Sequence, residues 1–423
     1  MYTIKEVAVL ATKAYGALTP YAVKELASFI HRTDAKRSIL LLGPPGIGKS
    51  VLVREIASEI ARDQGRIFLE YKRQHLVGIN LEKVFADPDR YFVYVDLRLT
   101  EAEPVDLMGR PVTVTIRERK QIVYHPPQWA VLLAELPGML FLDELTNIQR
   151  PDVLAAAYKL IQDRAAGFTG FSPGVQVISA GNRPEDSSIA NLLPAPLLNR
   201  VYRIEVEPPT VAQWVRWVSS HFDRSDEKVF AYLYRFPDDF CRVPEEGETL
   251  EGYPTPRSYT FLAQDLVAAV DTGLKPSAIR TLCIAALGSE VGERLYAFWQ
   301  NPVPSFTEFR ENPSLFRDLN LDQRYIAVVV IGQGLAESVF KLASSVPEDL
   351  EIPAARAVIE PNLRASVKLL DVIGAESKEY LALLWFILSN RLHAPWHDAL
   401  YLELCAQSQS IMDSYSSVGN LLR

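Results

Sequence analysis

Cysteine, excess basic charge and long apolar runs are all scarce in this chain of 423 residues. Its three cysteines lie far apart and form no CxxC pair, which indicates inert thiols in a reducing compartment. The formal net charge of −8 argues against broad electrostatic binding of nucleic acid, although it leaves room for a local basic channel. No apolar run reaches the roughly 18 residues that a membrane-spanning helix needs.

The rest of the composition is that of a globular protein. Hydrophobic residues make up 48% of the chain and charged residues 23%, and the length suits two or three domains. Lys5, Glu6 and Lys13 interrupt the apolar core that a secretory signal would require. We therefore expect a cytoplasmic protein without a membrane segment.

Residues 43–50 fit the phosphate-binding loop pattern GxxxxGK[ST] at every fixed position. The run follows an apolar segment, 38–42, that predicts a buried strand, and it precedes 51–57, which predicts a helix. Glycines in such a loop let backbone N–H groups and the positive helix end point at a phosphate. The expected nucleotide-binding residues are Gly43, Pro44, Pro45, Gly46, Ile47, Gly48, Lys49, Ser50 and Val51.

Polar residues at the ends of two later strands supply the rest of a nucleotide site. Lys49 is expected to contact the β- and γ-phosphates of ATP, and Ser50 to ligate Mg²⁺. Asp143 ends an apolar strand and is expected beside the Mg²⁺, which leaves Glu144 to activate the attacking water. Asn182 follows another strand, where its amide can hydrogen-bond the γ-phosphate and that water. Each of these features alone is often only a turn, and their order after the phosphate-binding loop is what favours a catalytic site.

Two arginines complete the set of expected site residues. Arg200, in a Leu-Leu-Asn-Arg segment before the last strand, suits a guanidinium presented to the nucleotide of a neighbouring subunit. Arg257 stands at a Thr-Pro-Arg-Ser helix start, where it can contact the phosphates. The sequence therefore predicts an ATP- and Mg²⁺-dependent enzyme whose active site is shared between subunits.

Alternating strand and helix patterns predict an α/β fold in the first half of the chain. Apolar runs predict strands at 38–42, 91–97, 139–142, 175–180 and 202–206. Helical segments lie between these strands, which indicates a parallel sheet covered on both faces. After residue 208 the pattern changes to helices, with a long loop at 237–257 and a proline-marked break near 301–304.

The order of these motifs resembles that of the AAA+ ATPases, and most closely the MoxR group near the magnesium-chelatase ATPase subunits. The run 143–147 is similar to the family's Asp-Glu-Ile-Asn-Arg, and the run 255–258 is similar to its Ser-Pro-Arg-Ala sensor. By this resemblance Asn182 is the first sensor, Arg200 the arginine finger and Arg257 the second sensor.

The resemblance covers residues 33–300, and the helical patterns on either side of it complete an expected order of domains. The expected parts are an N-terminal helical segment (1–32), an AAA+ parallel-sheet ATPase domain (33–208), an α-helical lid (209–300) and a helical C-terminal extension (301–423). The run 181–183 departs from the family's usual Gln-Asn-Pro, which indicates a divergent member.

The resemblance also implies a function and partners. We expect a homo-oligomeric, hexameric ring that couples ATP hydrolysis to remodelling or maturation of a protein client, with a von Willebrand factor A domain protein as the expected kind of client. One alternative is a nucleic-acid motor of a restriction or mobile-element system, which the overall acidity disfavours. Another is a scaffold that nucleotide only stabilises, which the presence of Glu144 disfavours.

Two short insertions are expected to form hairpins. Alternation in 109–116 and 121–124 predicts a β-hairpin around the basic tip 117–120, and 168–171 matches the position of a second hairpin. Hairpins at these positions in the family often face the pore of the ring. An ordinary surface hairpin stays equally compatible with the sequence.

Overall fold

The computed structural model describes residues 17–33, 37–71, 81–187, 189–242, 251–343, 352–392, 396–408 and 411. The chain divides into two compact units, of which the first ends at Pro209 and the second begins at Thr210. The predicted N-terminal helical segment is described only from residue 17 onward.

The first unit alternates strands and helices. Its strands are β1 (Ala17–Leu18), β2 (Ile39–Leu42), β3 (Ile67–Tyr71), β4 (Tyr91–Arg98), β5 (Arg110–Ile116), β6 (Arg119–His125), β7 (Gly138–Asp143), β8 (Ala165–Ala166), β9 (Thr169–Gly170), β10 (Val175–Gly181) and β11 (Tyr202–Val206). Its helices are α1 (Pro20–Arg32), α2 (Lys49–Asp63), α3 (Leu81–Ala86), α4 (Pro104–Met108), α5 (Gln128–Glu135), α6 (Pro151–Gln162) and α7 (Ala195–Leu198). Short 3-10 turns lie at Pro88–Arg90, Leu99–Glu101 and Leu145–Asn147.

Seven of the strands form one parallel sheet in the order β1-β11-β2-β10-β7-β4-β3. Strand β10 lies between β2 and β7, with Gly181 paired to Leu42 and Ser179 paired to Leu142. Because the strands are parallel, the carboxyl ends of β2, β7 and β10 meet at one edge of the sheet, where ligands of such sheets bind. The phosphate-binding loop, the acidic pair and Asn182 all follow that edge.

The sheet is buried because helices cover both of its faces. Strands β2 and β10 are buried at every position, as expected for central parallel strands made of continuous apolar runs. On one face, a hydrophobic cluster joins Leu140 and Val177 to Leu133 of α5 and Leu160 of α6. Helix α2 also buries an apolar side, which includes Ile56.

Both predicted hairpins are present. Strands β5 and β6 pair antiparallel from Arg110 opposite His125 to Ile116 opposite Arg119. The turn consists of two residues, with φ of 49° at Arg117 and 62° at Glu118, so the predicted four-residue tip is wrong because residues 119 and 120 belong to β6. Strands β8 and β9 form the second, very short hairpin.

The second unit is helical. Its helices are α8 (Val211–His221), α9 (Glu227–Arg235), α10 (Pro256–Asp271), α11 (Pro276–Leu287), α12 (Ser289–Trp299), α13 (Phe306–Glu311), α14 (Leu321–Ala343), α15 (Ile352–Glu376), α16 (Lys378–Arg391) and α17 (Trp396–Gln407). Thr210 begins α8 with a reciprocal capping box to Gln213, and Thr255 begins α10 in the same way with Ser258. None of the described helices combines the length and apolar character needed to cross a membrane.

One hydrophobic core runs through this helical unit from Trp214 to Ile411. The predicted break near residues 301–304 is present, because α12 ends at Trp299 and α13 begins at Phe306. The division into a lid and an extension at residue 300 stays a prediction.

The five predicted strands are all present, and two strands escape the sequence patterns. β3 has a mixed pattern in which only its central residue is buried. β1 has only two residues, which is too few to show a periodicity. It pairs with β11, and it lies within residues 1–32, which the sequence predicts to be helical. The fold is therefore α/β in the first unit and all-helical in the second.

Candidate active site at the carboxyl edge of the sheet

The loop between β2 and α2 leaves the start of the helix open. Gly48 immediately precedes α2 with φ of 94°, a left-handed conformation that favours glycine, and no side chain caps the first turn. The first N–H groups of an α-helix have no partner within the helix. They and the positive end of the helix dipole therefore form a binding site for an anion such as phosphate.

Lys49 is buried, and its ammonium group donates to acceptors at both ends of the site. It donates to the carbonyl oxygens of Gly43 at 2.7 Å and Pro44 at 2.8 Å, and to Oδ1 of Asn182 at 3.2 Å. The side chain thus links the start of the loop to the end of β10. The positive charge of Lys49 therefore lies beside the open start of α2, where it would stabilise a bound anion.

Ser50 and Asp143 form the second link across the edge. The Ser50 hydroxyl donates to Oδ2 of Asp143 at 2.6 Å, and the N–H of Glu144 donates to Oδ1 at 2.9 Å. A hydroxyl and a carboxylate are oxygen ligands of the kind that Mg²⁺ prefers. The described part of the chain contains no group of three or more His, Cys, Asp or Glu side chains that could hold a metal ion by themselves. The pair therefore fits Mg²⁺ that takes its remaining ligands from phosphate and water.

Glu144 has a strained backbone and two partners from β4 and the turn after it. Its φ of 61° and ψ of 32° place a non-glycine residue in the left-handed region. The Thr100 hydroxyl donates to its Oε2, and the Arg98 Nε lies 3.7 Å from its Oε1. The hydrogen bond from Arg98 to Glu101 raises the pKa of the Arg98 guanidinium, and the carboxylates of Glu144 and Asp143 add to that effect. The sequence gives no signal for Thr100 or Arg98, since only the pairing of β4 with β7 brings them here.

Asn182 is fixed through its backbone. Its N–H donates to the hydroxyl of Thr146 at 2.8 Å, and its side chain accepts from Lys49. Thr146 is 2% exposed and lies in the turn directly after Glu144. The structure therefore brings Lys49, Ser50, Asp143, Glu144 and Asn182 to one edge of the sheet. Thr146 is a contact that sequence patterns do not single out.

Arg200 lies apart from this group, on the surface of the first unit. It follows α7 and is exposed between two buried residues, Leu197 and Val201. Among the described residues, its guanidinium has no hydrogen-bond or ion-pair partner. An anchored backbone with an exposed guanidinium is suited to reach a charge outside this chain.

Arg257 belongs to the second unit. It lies in the first turn of α10, directly after the Thr255 cap and Pro256, and its side chain is exposed. The predicted helix start is therefore present at this arginine.

Residues 39–207 match the family model described as ATPase family associated with various cellular activities (AAA). No curated protein is similar enough to match the chain. Among solved structures, the FIGL-1 AAA domain in complex with ADP is 13% identical, with 76% of this chain and 99% of that chain covered and a TM-score of 0.31.

Two further solved structures are similar at the same level. C. elegans PCH-2 is 15% identical, with 69% of this chain and 70% of that chain covered and a TM-score of 0.29. NtrX from Brucella abortus is 14% identical, with 88% and 70% covered and a TM-score of 0.27. At TM-scores this low the likenesses carry no weight, and the assignment rests on the family match. The segment that matches the AAA ATPase family model therefore holds every site residue above except Arg257.

Proposed function

We propose that the protein is a ring-forming, MoxR-like AAA+ ATPase that couples ATP hydrolysis to remodelling or maturation of a protein partner. The observation that carries this proposal is the meeting of Lys49, Ser50, Asp143, Glu144 and Asn182 at one edge of the sheet. These are the groups that bind a triphosphate, hold its cation and activate water.

The residues that would hold the cofactors follow from their chemistry. Residues 43–48 and the start of α2 would bind the phosphates through backbone N–H groups, and Lys49 would add its charge. Ser50 and Asp143 would hold Mg²⁺. Bound Mg²⁺ supplies positive charge that offsets the charge of the phosphate oxygens. Arg257 is proposed as a further residue that contacts the nucleotide.

The remaining residues act on water. Glu144 would accept the proton of the attacking water, which requires that its carboxylate leave Thr100 and Arg98. Asn182 would orient that water through its side-chain amide, because its backbone is already fixed by Thr146.

Arg200 supports a shared active site. An exposed guanidinium without a partner in the described part of its own chain is suited to the nucleotide of a neighbouring copy, where it would offset transition-state charge. A heterologous contact of this kind, repeated between copies of the chain, gives a ring when the rotation between neighbouring copies closes. We infer a homo-oligomeric, hexameric ring in the cytoplasm.

The two hairpins support contact with a protein client. Tyr124 of β6 packs against Phe168 at a ring-centroid distance of 5.6 Å, and Phe168 is 82% exposed. Ile122, 69% exposed, extends this apolar surface. Exposed aromatic and aliphatic groups favour binding of another polypeptide. A von Willebrand factor A domain protein is the kind of client that we propose.

The basic tip of the first hairpin favours the alternative of a nucleic-acid motor. Arg117, Arg119 and Lys120 are all exposed around the turn. If this tip binds nucleic acid, DNA affinity should fall steeply with salt concentration and should be lost when the three residues are replaced by alanine. Affinity that is weak and unaffected by the substitutions would reject the alternative.

The experiment that tests the proposed function measures the ATPase rate of the purified protein against its concentration. Sedimentation of Glu144→Gln protein with ATP runs in parallel. We expect a specific activity that rises with concentration and a ring that forms only with ATP, because Arg200 would complete a site on another copy. A rate that does not depend on concentration, from a protein that sediments as a monomer, would overturn the shared site and the ring.

A further inference from the structure

The turn that follows β7 is joined to Asn182 by a buried hydroxyl. Thr146 accepts the hydrogen bond from the Asn182 N–H at 2.8 Å, and only 2% of Thr146 is exposed. The contact is close because position 181 is a glycine. A Cβ atom at Gly181 would lie 2.6 Å from the Thr146 hydroxyl oxygen. The lack of a side chain at Gly181 therefore leaves the space that Thr146 occupies at the end of β10.

The same turn is joined to the segment that leads to Arg200. The N–H of Asn191 donates to the carbonyl oxygen of Thr146 at 2.7 Å, and its side-chain Nδ2 donates to the carbonyl oxygen of Ile148 at 2.7 Å. Nε2 of Gln149 also donates to the carbonyl oxygen of Ile189 at 3.1 Å. Residues 189–191 are therefore fixed to the turn through both backbone and side-chain groups.

We propose that Thr146 is a positioning residue that couples Asn182 and the Arg200 segment to the end of the acidic strand. Its hydroxyl fixes Asn182, its carbonyl oxygen fixes Asn191, and its own backbone follows Glu144. A shift of Glu144 would therefore move Asn182 and the segment before Arg200 together. This inference rests on the proposed function, since it assigns Thr146 to the same ATPase site.

Two substitutions separate the hydroxyl from the shape of the side chain. Thr146→Val keeps the branched shape and removes the acceptor of the Asn182 N–H, while Thr146→Ser keeps the acceptor and removes a methyl group. Neither change touches residues 43–50 directly, and Asn182 reaches them only through its bond from Lys49, so nucleotide affinity should change much less than kcat in both variants. Ser38→Ala is the matched control, because Ser38 is buried in the same unit and donates to the carbonyl oxygen of Ile161 at 3.2 Å, at the opposite end of the sheet.

The first test compares kcat, KM and the affinity for a fluorescent ATP analogue in these variants. We expect kcat of Thr146→Val to fall roughly tenfold with much smaller changes in KM and affinity, and Thr146→Ser to keep most of the activity. Ser38→Ala should lose thermal stability without losing kcat. Equal kcat in Thr146→Val and the wild type, or equal losses in Thr146→Val and Ser38→Ala, would overturn the proposal.

A double-mutant cycle tests whether Thr146 acts through Asn182. In an Asn182→Ala background, Thr146→Val should lower kcat no further, because the group that it positions is gone. Additive losses would show that Thr146 acts independently of Asn182 and would overturn the coupling. A wild-type protein without ATPase activity would instead reject the proposed function, so the two failures are distinct.

The link to Arg200 is tested in mixed oligomers. Arg200→Ala protein is mixed with Glu144→Gln protein, which supplies the missing arginine, and with Glu144→Gln protein that also carries Asn191→Ala. We expect the Asn191→Ala change to reduce the restored activity severalfold, because it removes the bond to Ile148 that holds the segment. Equal restoration by both proteins would reject the link between the turn and Arg200.

Discussion

Thr100 donates its hydroxyl to Oε2 of Glu144, the carboxylate that the proposed mechanism uses to activate water. The other oxygen of that carboxylate lies 3.7 Å from the guanidinium of Arg98. Both oxygens are therefore engaged on the side of β4. The Glu144 carboxylate is therefore held by Thr100 and Arg98, and ATP hydrolysis by the proposed mechanism would require that these contacts break.

Thr100→Ala should raise the basal ATPase rate. Removing the hydroxyl frees one oxygen of Glu144 to accept a proton, and the loss of one net hydrogen bond corresponds to a rate increase of about threefold. Single-turnover kinetics at saturating ATP measure this step. Thr281→Ala, an exposed threonine on α11, serves as the control for a generic threonine replacement. A lower rate in Thr100→Ala would mean that Thr100 orients Glu144 for reaction instead of withholding it.

Lys49→Ala should abolish measurable nucleotide binding. The substitution removes the buried charge beside the open helix start and also the bonds that tie Gly43, Pro44 and Asn182 together. We expect the Kd for ATP to rise by about 100-fold or more, as measured by titration with a fluorescent analogue. Lys24→Ala is the matched control, because Lys24 pairs with Glu59 on the surface. Binding with near wild-type affinity would exclude residues 43–50 as the phosphate site.

The sequence predicts the parts of the fold and site that are local in the chain. Five strands follow from continuous apolar runs, and the phosphate-binding loop follows from a contiguous pattern. The start of α10 beside Arg257 follows from the local run 254–258, which the sequence predicts to open a helix. Each of these features depends on neighbours within a few residues, so no knowledge of the tertiary fold is needed.

The contacts that hold the site residues are not predictable in this way. Thr100 reaches Glu144 because β4 pairs with β7, and Thr146 reaches Asn182 because β7 pairs with β10. The partners lie 44 and 36 residues apart in the chain. No local pattern marks either threonine, since a hydroxyl at a strand end or in a turn is common. β3 escapes prediction for a related reason, because its edge position leaves it without a continuous apolar run.

Cys283 should resist alkylation in the folded protein. Burial raises the pKa of its thiol to about 12, so the reactive thiolate is scarce at pH 8.5. Cys241 is only partly buried. With iodoacetamide at pH 8.5, we expect Cys241 to be labelled at least about tenfold faster than Cys283, and in urea the two rates should converge. Mass spectrometry of the labelled peptides measures both rates. Similar rates without denaturant would mean that the core around α11 opens readily.

The raised pKa of the Cys283 thiol also determines how the free energy of unfolding changes with pH. The folded state keeps the Cys283 proton to a higher pH than the unfolded chain, whose cysteine titrates near 9. Raising the pH from about 9 towards 12 should therefore reduce the free energy of unfolding through this group. Urea unfolding of the wild type and of Cys283→Val at pH 8 and pH 10.5 measures the difference. If the free energy of unfolding of Cys283→Val changes with pH as that of the wild type does, Cys283 does not contribute to the pH dependence.

Arg200→Ala protein should be inactive alone and should regain activity when mixed with Glu144→Gln protein. In an equal mixture, one interface in four pairs an intact Glu144 with an intact Arg200, so about a quarter of the wild-type rate is expected if interfaces act independently. Arg203→Ala is the matched control, because Arg203 lies on β11 and its guanidinium pairs with Glu205 at 2.6 Å. It should retain full activity alone. If the mixture stays inactive while both variants still bind ATP and assemble, Arg200 acts within its own chain, and the argument for a shared site fails with it.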